Sequence, residues 1–126
     1  MPKTVPVLPG EPPSSLPFST VVEANGFVFL AGQIGDAPGT HAPVAGGIAA
    51  ETRAMLENVG RLLRAVGLDF SDVVKTTVYL ADIADFGAMN DVYRTYFATD
   101  APVRATVAVA GLALGARVEI EVMAAR

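Results

Sequence analysis

The chain predicts an α+β domain in which a β-sheet is backed by two helices. Three observations predict it. Two stretches carry apolar residues at a period near 3.6, five β-branched stretches alternate with a period of 2, and together they run β-β-α-β-α-β-β. With 126 residues, 52% of them hydrophobic and only 17% charged, one domain spans 1–126 and disorder is excluded. The low charge also hints that another chain covers part of the surface.

The elements follow in order. Residues 1–17 hold most of the nine prolines and read as an extended arm. Residues 18–24 (FSTVVEA) and 27–32 (FVFLAG) read as strands joined at Asn25-Gly26, a two-residue hairpin signal. The segment 35–47 is a loop by composition, and Gly46-Gly47 allow a tight lead into the next helix. Ile48, Thr52, Met55, Val59, Leu62 and Val66 then form a helical stripe, widened by Leu56 and Leu63 and stopped at Gly67. Arg53, Glu57 and Arg61 lie four apart on the opposite side and can pair. Residues 73–81 (VVKTTVYLA) are a strand. Asp82 or Asp85 can cap a second helix over 86–97, whose Phe86, Met89, Tyr93 and Phe97 or Tyr96 form a core stripe. Two last strands, 103–109 and 117–124, are joined through 110–116.

Side-chain alternation sorts these last strands by face. Val103, Ala105, Val107 and Val109 share one face and Arg104, Thr106 and Ala108 the other; Val118, Ile120 and Val122 oppose Arg117, Glu119, Glu121 and Met123. If the two strands are neighbours, the apolar sets lie together under the helices. Arg104 then points to the open face beside Glu119 and Glu121. That face, mixing charges with Thr106, Ala108 and Met123, suits cover by a symmetric partner subunit. Spacing alone does not choose between Glu119 and Glu121, nor between a ligand-binding arginine and a structural ion pair.

The stretch 101-APVRATVAVAGLALGARVEIEV-122 resembles the signature of the RidA/YjgF family, the reactive-intermediate deaminases, also labelled the endoribonuclease L-PSP family. Three further blocks match in order: 31-AGQIG-35, the long helix, and 73-VVKTTVYLADIADFGAMNDVY-93. The resemblance covers nearly everything from Pro17 to Ala124. It implies a chorismate-mutase-like α+β fold with a six-stranded mixed sheet and two helices on one face. It also implies a homotrimer with clefts between subunits. By position, it makes Arg104 the clamp for a substrate carboxylate and Glu119 the group that activates water. Gly32, Ala31 and Thr106 become cleft wall, and Phe18 an aromatic near the cleft mouth. Phe18, Ala31 and Thr106 stand where the best-known deaminases have tyrosine, serine and cysteine. The first two changes each remove a hydroxyl, and each lost ligand hydrogen bond weakens binding by about 0.5–1.5 kcal/mol.

The implied reaction is hydrolysis of 2-imino or 2-enamino acids to 2-keto acids and ammonia, with no cofactor. Two alternatives carry different signatures. A non-catalytic binder or sensor of small carboxylates or keto acids would saturate with ligand and release no ammonia. An RNA-acting member, as some relatives are labelled, would show salt-dependent RNA affinity. The net charge of −4 and the pI near 4.8 argue against a nucleic-acid partner. No run approaches the roughly 18 apolar residues of a membrane span, and the N-terminus lacks a secretory pattern, so a cytoplasmic location is expected. The chain has no cysteine, and its one histidine, His41, sits in a loop without a carboxylate at motif spacing, so no metal is expected.

Overall fold

A computed structural model describes residues 2–126. Strands β1 (Val21–Ala24) and β2 (Phe27–Ile34) are followed by α1 (Gly47–Ala65) and β3 (Val73–Leu80). Next come α2 (Phe86–Tyr96), β4 (Val103–Ala108) and β5 (Val118–Ala125). The sheet order is β1-β2-β5-β3-β4, antiparallel throughout except for the parallel pair β3–β4.

The α+β class and the element order agree with expectation, but the sheet has five strands rather than six. Among the described residues of the arm only Thr4 joins a strand, in a single bridge to Glu23, with its N–H and C=O both engaged at 2.8 Å. Pro2 and Pro6 flank it and have no N–H to donate, so a ladder does not extend from that bridge. The first strand is also shorter than its composition suggests, starting at Val21. At the hairpin, Asn25 and Gly26 both take positive φ, the geometry of a two-residue turn that matches the twist of its strands.

The core lies between the helices and one sheet face. Met55, Leu56, Val59, Leu62 and Leu63 of α1 and Met89 and Tyr93 of α2 pack on Val28, Leu30, Val78, Leu80, Val118, Ile120 and Val122. Phe86 does not join them; it is 39% exposed at the start of α2. The predicted pairing of Arg53, Glu57 and Arg61 along α1 is not seen among the described residues. Arg61 binds Glu11 of the arm and Asn58 Oδ1, while Glu57 accepts a hydrogen bond from the Tyr96 hydroxyl. Asp82 caps a short 3-10 turn through Ala84 N–H, and Asp85 precedes α2 without a side-chain cap.

The chain path overturns one expectation that bears directly on the site. β4 does not neighbour β5, because β3 lies between them. Its register pairs Thr76 with Arg104, Val78 with Thr106 and Leu80 with Ala108. Thr76, Val78 and Leu80 are buried under the helices, so Arg104 and Thr106 share the helix face. Glu119 and Glu121 pair with Tyr79 and Thr77 on the opposite, open face. Val103 and Val107 are exposed on that open face, as are Phe27 and Phe29.

Candidate active site

The sequence-predicted site residues fall into two groups on opposite sides of the sheet. The first forms at an irregularity in β2. Its register with β5 slips between Leu30 and Gln33, which places Ala31 and Gly32 in the slip. Ala31 N–H donates to Thr20 O at 2.8 Å, tying the segment that follows Phe18 to this point. Phe18 itself is 54% exposed.

Gly32 lies directly beneath the Glu119 carboxylate. A Cβ on Gly32 would sit 2.1 Å from Glu119 Oε2 and 3.0 Å from its Cδ, so only glycine leaves the carboxylate this position. Glu119 is half-buried and, among the described residues, its carboxylate makes no ion pair or hydrogen bond. Burial first, and the nearby Glu121 charge second, raise its pKa above the ordinary carboxylate value. Glu121 differs: it is exposed, and its Oε1 accepts a hydrogen bond of 2.8 Å from the Tyr79 hydroxyl. The two carboxylates that spacing left equivalent are therefore unlike.

The second group lies across the sheet, where β4 meets α2. The Arg104 guanidinium carbon stands 4.6 Å from the centroid of the Tyr93 ring and 5.6 Å from that of Phe86. Among the described residues no ion pair or side-chain hydrogen bond involves Arg104. A structural pair with Glu119 or Glu121 of the same chain is excluded by their opposite faces. The rings attract the cation through their π faces and leave its in-plane N–H donors unspent. A hollow of about 350 Å³ opens beside it, lined by Asn90, Tyr93, Arg94, Phe97, Pro102 and Arg104, among others.

Thr106 follows Arg104 on the same face, and its buried Oγ1 has no hydrogen-bond partner among the described residues; nor has Asn90 Oδ1. Sequence reasoning did not single out Asn90. The signal was present: an amide three residues before Tyr93 and four after Phe86, on the helix face that carries both.

Against known proteins, the family model described as Endoribonuclease L-PSP matches residues 9–126. The chain belongs to this family, the RidA/YjgF proteins. It is 45% identical over 108 residues to human 2-iminobutanoate/2-iminopropanoate deaminase, covering 86% of this chain and 79% of that one. It is 47% identical over 107 residues to the rat protein of the same name, covering 85% and 78%. Yeast Mmf1 superposes with a TM-score of 0.89 at 35% identity, over 99% of both chains. Escherichia coli TdcF, solved with bound serine, gives a TM-score of 0.84 at 35% identity over 91% of this chain and 92% of that one.

Within this RidA/YjgF chain no helix among the described residues is long and apolar enough to cross a membrane. Four of its nine basic side chains lie in ion pairs. Arg117 is held by Glu51 and Asp85, Arg126 by Glu23, Arg61 by Glu11 and Arg94 by Asp91.

Proposed function

We propose that the protein hydrolyses 2-imino and 2-enamino acids to 2-keto acids and ammonia, in clefts between the subunits of a homotrimer. The observation that carries the reading is the pair of groups uncommitted among the described residues: an arginine fork with free donors and a partly desolvated glutamate with no cation beside it. They face opposite sides of one sheet. One small molecule meets both only if Arg104 comes from one protomer and Glu119 from its neighbour. The exposed apolar side chains on the open face, Phe27, Phe29, Val103 and Val107, support such an assembly.

In this arrangement Arg104 binds the substrate carboxylate through two parallel N–H bonds. Glu119, seated over Gly32 in a cleft to which Ala31 and Phe18 contribute in this reading, takes a proton from water as the oxygen adds to the C=N carbon. The proton passes to nitrogen to give the carbinolamine; its hydroxyl proton then moves through Glu119 to the amino nitrogen as the C–N bond breaks and the C=O forms, releasing the keto acid and ammonia. The carbon is already electrophilic, so positioning and one base supply what the step needs. Thr106 and Asn90 offer oxygens at the arginine end. The relatives named as deaminases and the serine bound to TdcF support a small substrate with a carboxylate. The cytoplasm is the proposed compartment, which cell fractionation tests.

A coupled assay tests the activity. An amino-acid oxidase generates imines from a panel of amino acids, and keto-acid and ammonia release are followed with and without the protein. Acceleration by the wild type and its loss in Glu119→Gln are expected. Saturable keto-acid binding with no acceleration on any imine would replace the enzyme by a small-carboxylate sensor, a reading the hydroxyl-free Phe18 and Ala31 would then favour.

A further inference from the structure

Arg104 sits on an edge strand at the end of a long flexible stem, with no side-chain acceptor among the described residues of its own chain to fix it. Left alone, such a side chain would spread over many rotamers, and its fork would be aimed only part of the time. A carboxylate partner would hold it but would occupy the donors that a substrate needs. The structure uses a ring face instead, and the ring is itself pinned. The Tyr93 hydroxyl and Thr76 Oγ1 lie 2.8 Å apart, with Thr76 fully buried and Tyr93 6% exposed.

Thr76 is also the residue opposite Arg104 in the parallel β3–β4 ladder. The chain therefore closes a short circuit. Backbone pairing sets Arg104 beside Thr76, the hydroxyl pair ties Thr76 to Tyr93, and the Tyr93 ring lies 4.6 Å from the guanidinium carbon. Phe97 holds the ring from α2's end, centroid to centroid at 4.7 Å. Burial raises the Tyr93 pKa and keeps the hydroxyl protonated, although the Thr76 bond and the Arg104 charge pull the other way.

We propose that Tyr93 and Thr76 are positioning residues for Arg104, holding its guanidinium plane at the carboxylate subsite while leaving its donor edge free. The inference rests on the assignment of Arg104 as the carboxylate clamp, and the test separates the two. Arg104→Ala, Tyr93→Leu, Tyr93→Phe and the double variant Thr76→Val/Tyr93→Phe are compared as assembled protein. The readouts are pyruvate binding by calorimetry, and kcat and KM on the imine of alanine and on an imine of the same side chain without a carboxylate.

Arg104→Ala should abolish pyruvate binding; if it does not, the clamp assignment fails whatever Tyr93 does. Given that loss, Tyr93→Leu should raise KM for the imino acid by several-fold to about tenfold with kcat within about twofold, the range a desolvated cation–π contact gives. Its activity on the uncharged imine should be unchanged. General loosening of the fold would lower both activities together and would overturn the positioning role. Tyr93→Phe keeps the ring but loses its tie to Thr76, so its KM should lie between wild type and Tyr93→Leu. If Tyr93→Leu does not fold, the double variant decides. It removes both hydroxyls without stranding either, so it should fold and still show a raised KM for the imino acid alone. Wild-type KM in a folded Tyr93→Leu protein or, failing that, in the double variant, with Arg104→Ala inactive in binding, would overturn the proposal and leave the clamp standing.

Discussion

Replacing Gly32 by alanine tests the position of Glu119 more sharply than removing the glutamate. Gly32 has no positive φ that would disfavour alanine, so the new methyl group acts only through space. It would lie 2.1 Å from Oε2, whereas its 3.4 Å distance to Glu119 Cγ is an ordinary contact. The carboxylate must therefore swing away by about 1 Å, while the stem can stay. The obstructing atom is the end of a flexible side chain, so the cost in stability should be small, on the order of 1 kcal/mol. Turnover should suffer far more, because a misplacement of about 1 Å can cost roughly hundredfold in rate. The assay pairs a thermal melt with kcat for imine hydrolysis, alongside Glu119→Gln as the inactive reference. A melt within a few degrees of wild type and kcat reduced by about two orders of magnitude are expected. Full turnover in Gly32→Ala, with Glu119→Gln inactive, would show that the carboxylate works from somewhere other than its seat over Gly32.

Further outcomes follow from the same geometry. Arg104→Ala and Glu119→Gln, each inactive alone, should recover activity when unfolded and refolded together, in about a quarter of the sites of a random mixture; no recovery would place both groups of one site in one protomer. Light scattering should give a trimer at micromolar concentration. Because Glu119 must be ionised to act as a base, kcat/KM should rise with pH through its raised pKa, and Glu121→Gln, by removing a like charge, should move that limb to lower pH. The stability sign is opposite: a carboxyl whose pKa is raised by folding stabilises fully below its unfolded pKa and loses this as pH rises through the folded value. Glu119→Gln should therefore lose less stability than wild type across that window, by thermal melts at a series of pH values. Phe18→Tyr with Ala31→Ser should raise turnover of small polar imines such as that of serine, while wild type prefers imines with apolar or aromatic side chains; an unchanged preference would mean that these two hydroxyls do not set it.

The sequence by itself determined the elements and their order. The Ile48 to Val66 stripe, the Asn25-Gly26 hairpin and the β-branched runs are local signals, and the local backbone obeys them. The family was legible as well, since four motif blocks in order do not depend on how the strands pair. Tertiary structure decided the faces. Alternation fixes which residues of a strand lie together, but the strand's neighbour and register fix which side of the sheet they take. In β4 hydrophobicity favours burying Val103, Ala105 and Val107 over Arg104, Thr106 and Ala108, yet the register beside β3 leaves Val103 and Val107 on the open face and turns Arg104 and Thr106 to the helices. The helix between β3 and β4 allowed parallel pairing, β3 took the place beside β5, and Arg104 turned from the carboxylates to the rings of α2. The same packing distinguished Glu119 from Glu121, because only a three-dimensional neighbour, Gly32 for one and Tyr79 for the other, makes two carboxylates on one face unlike.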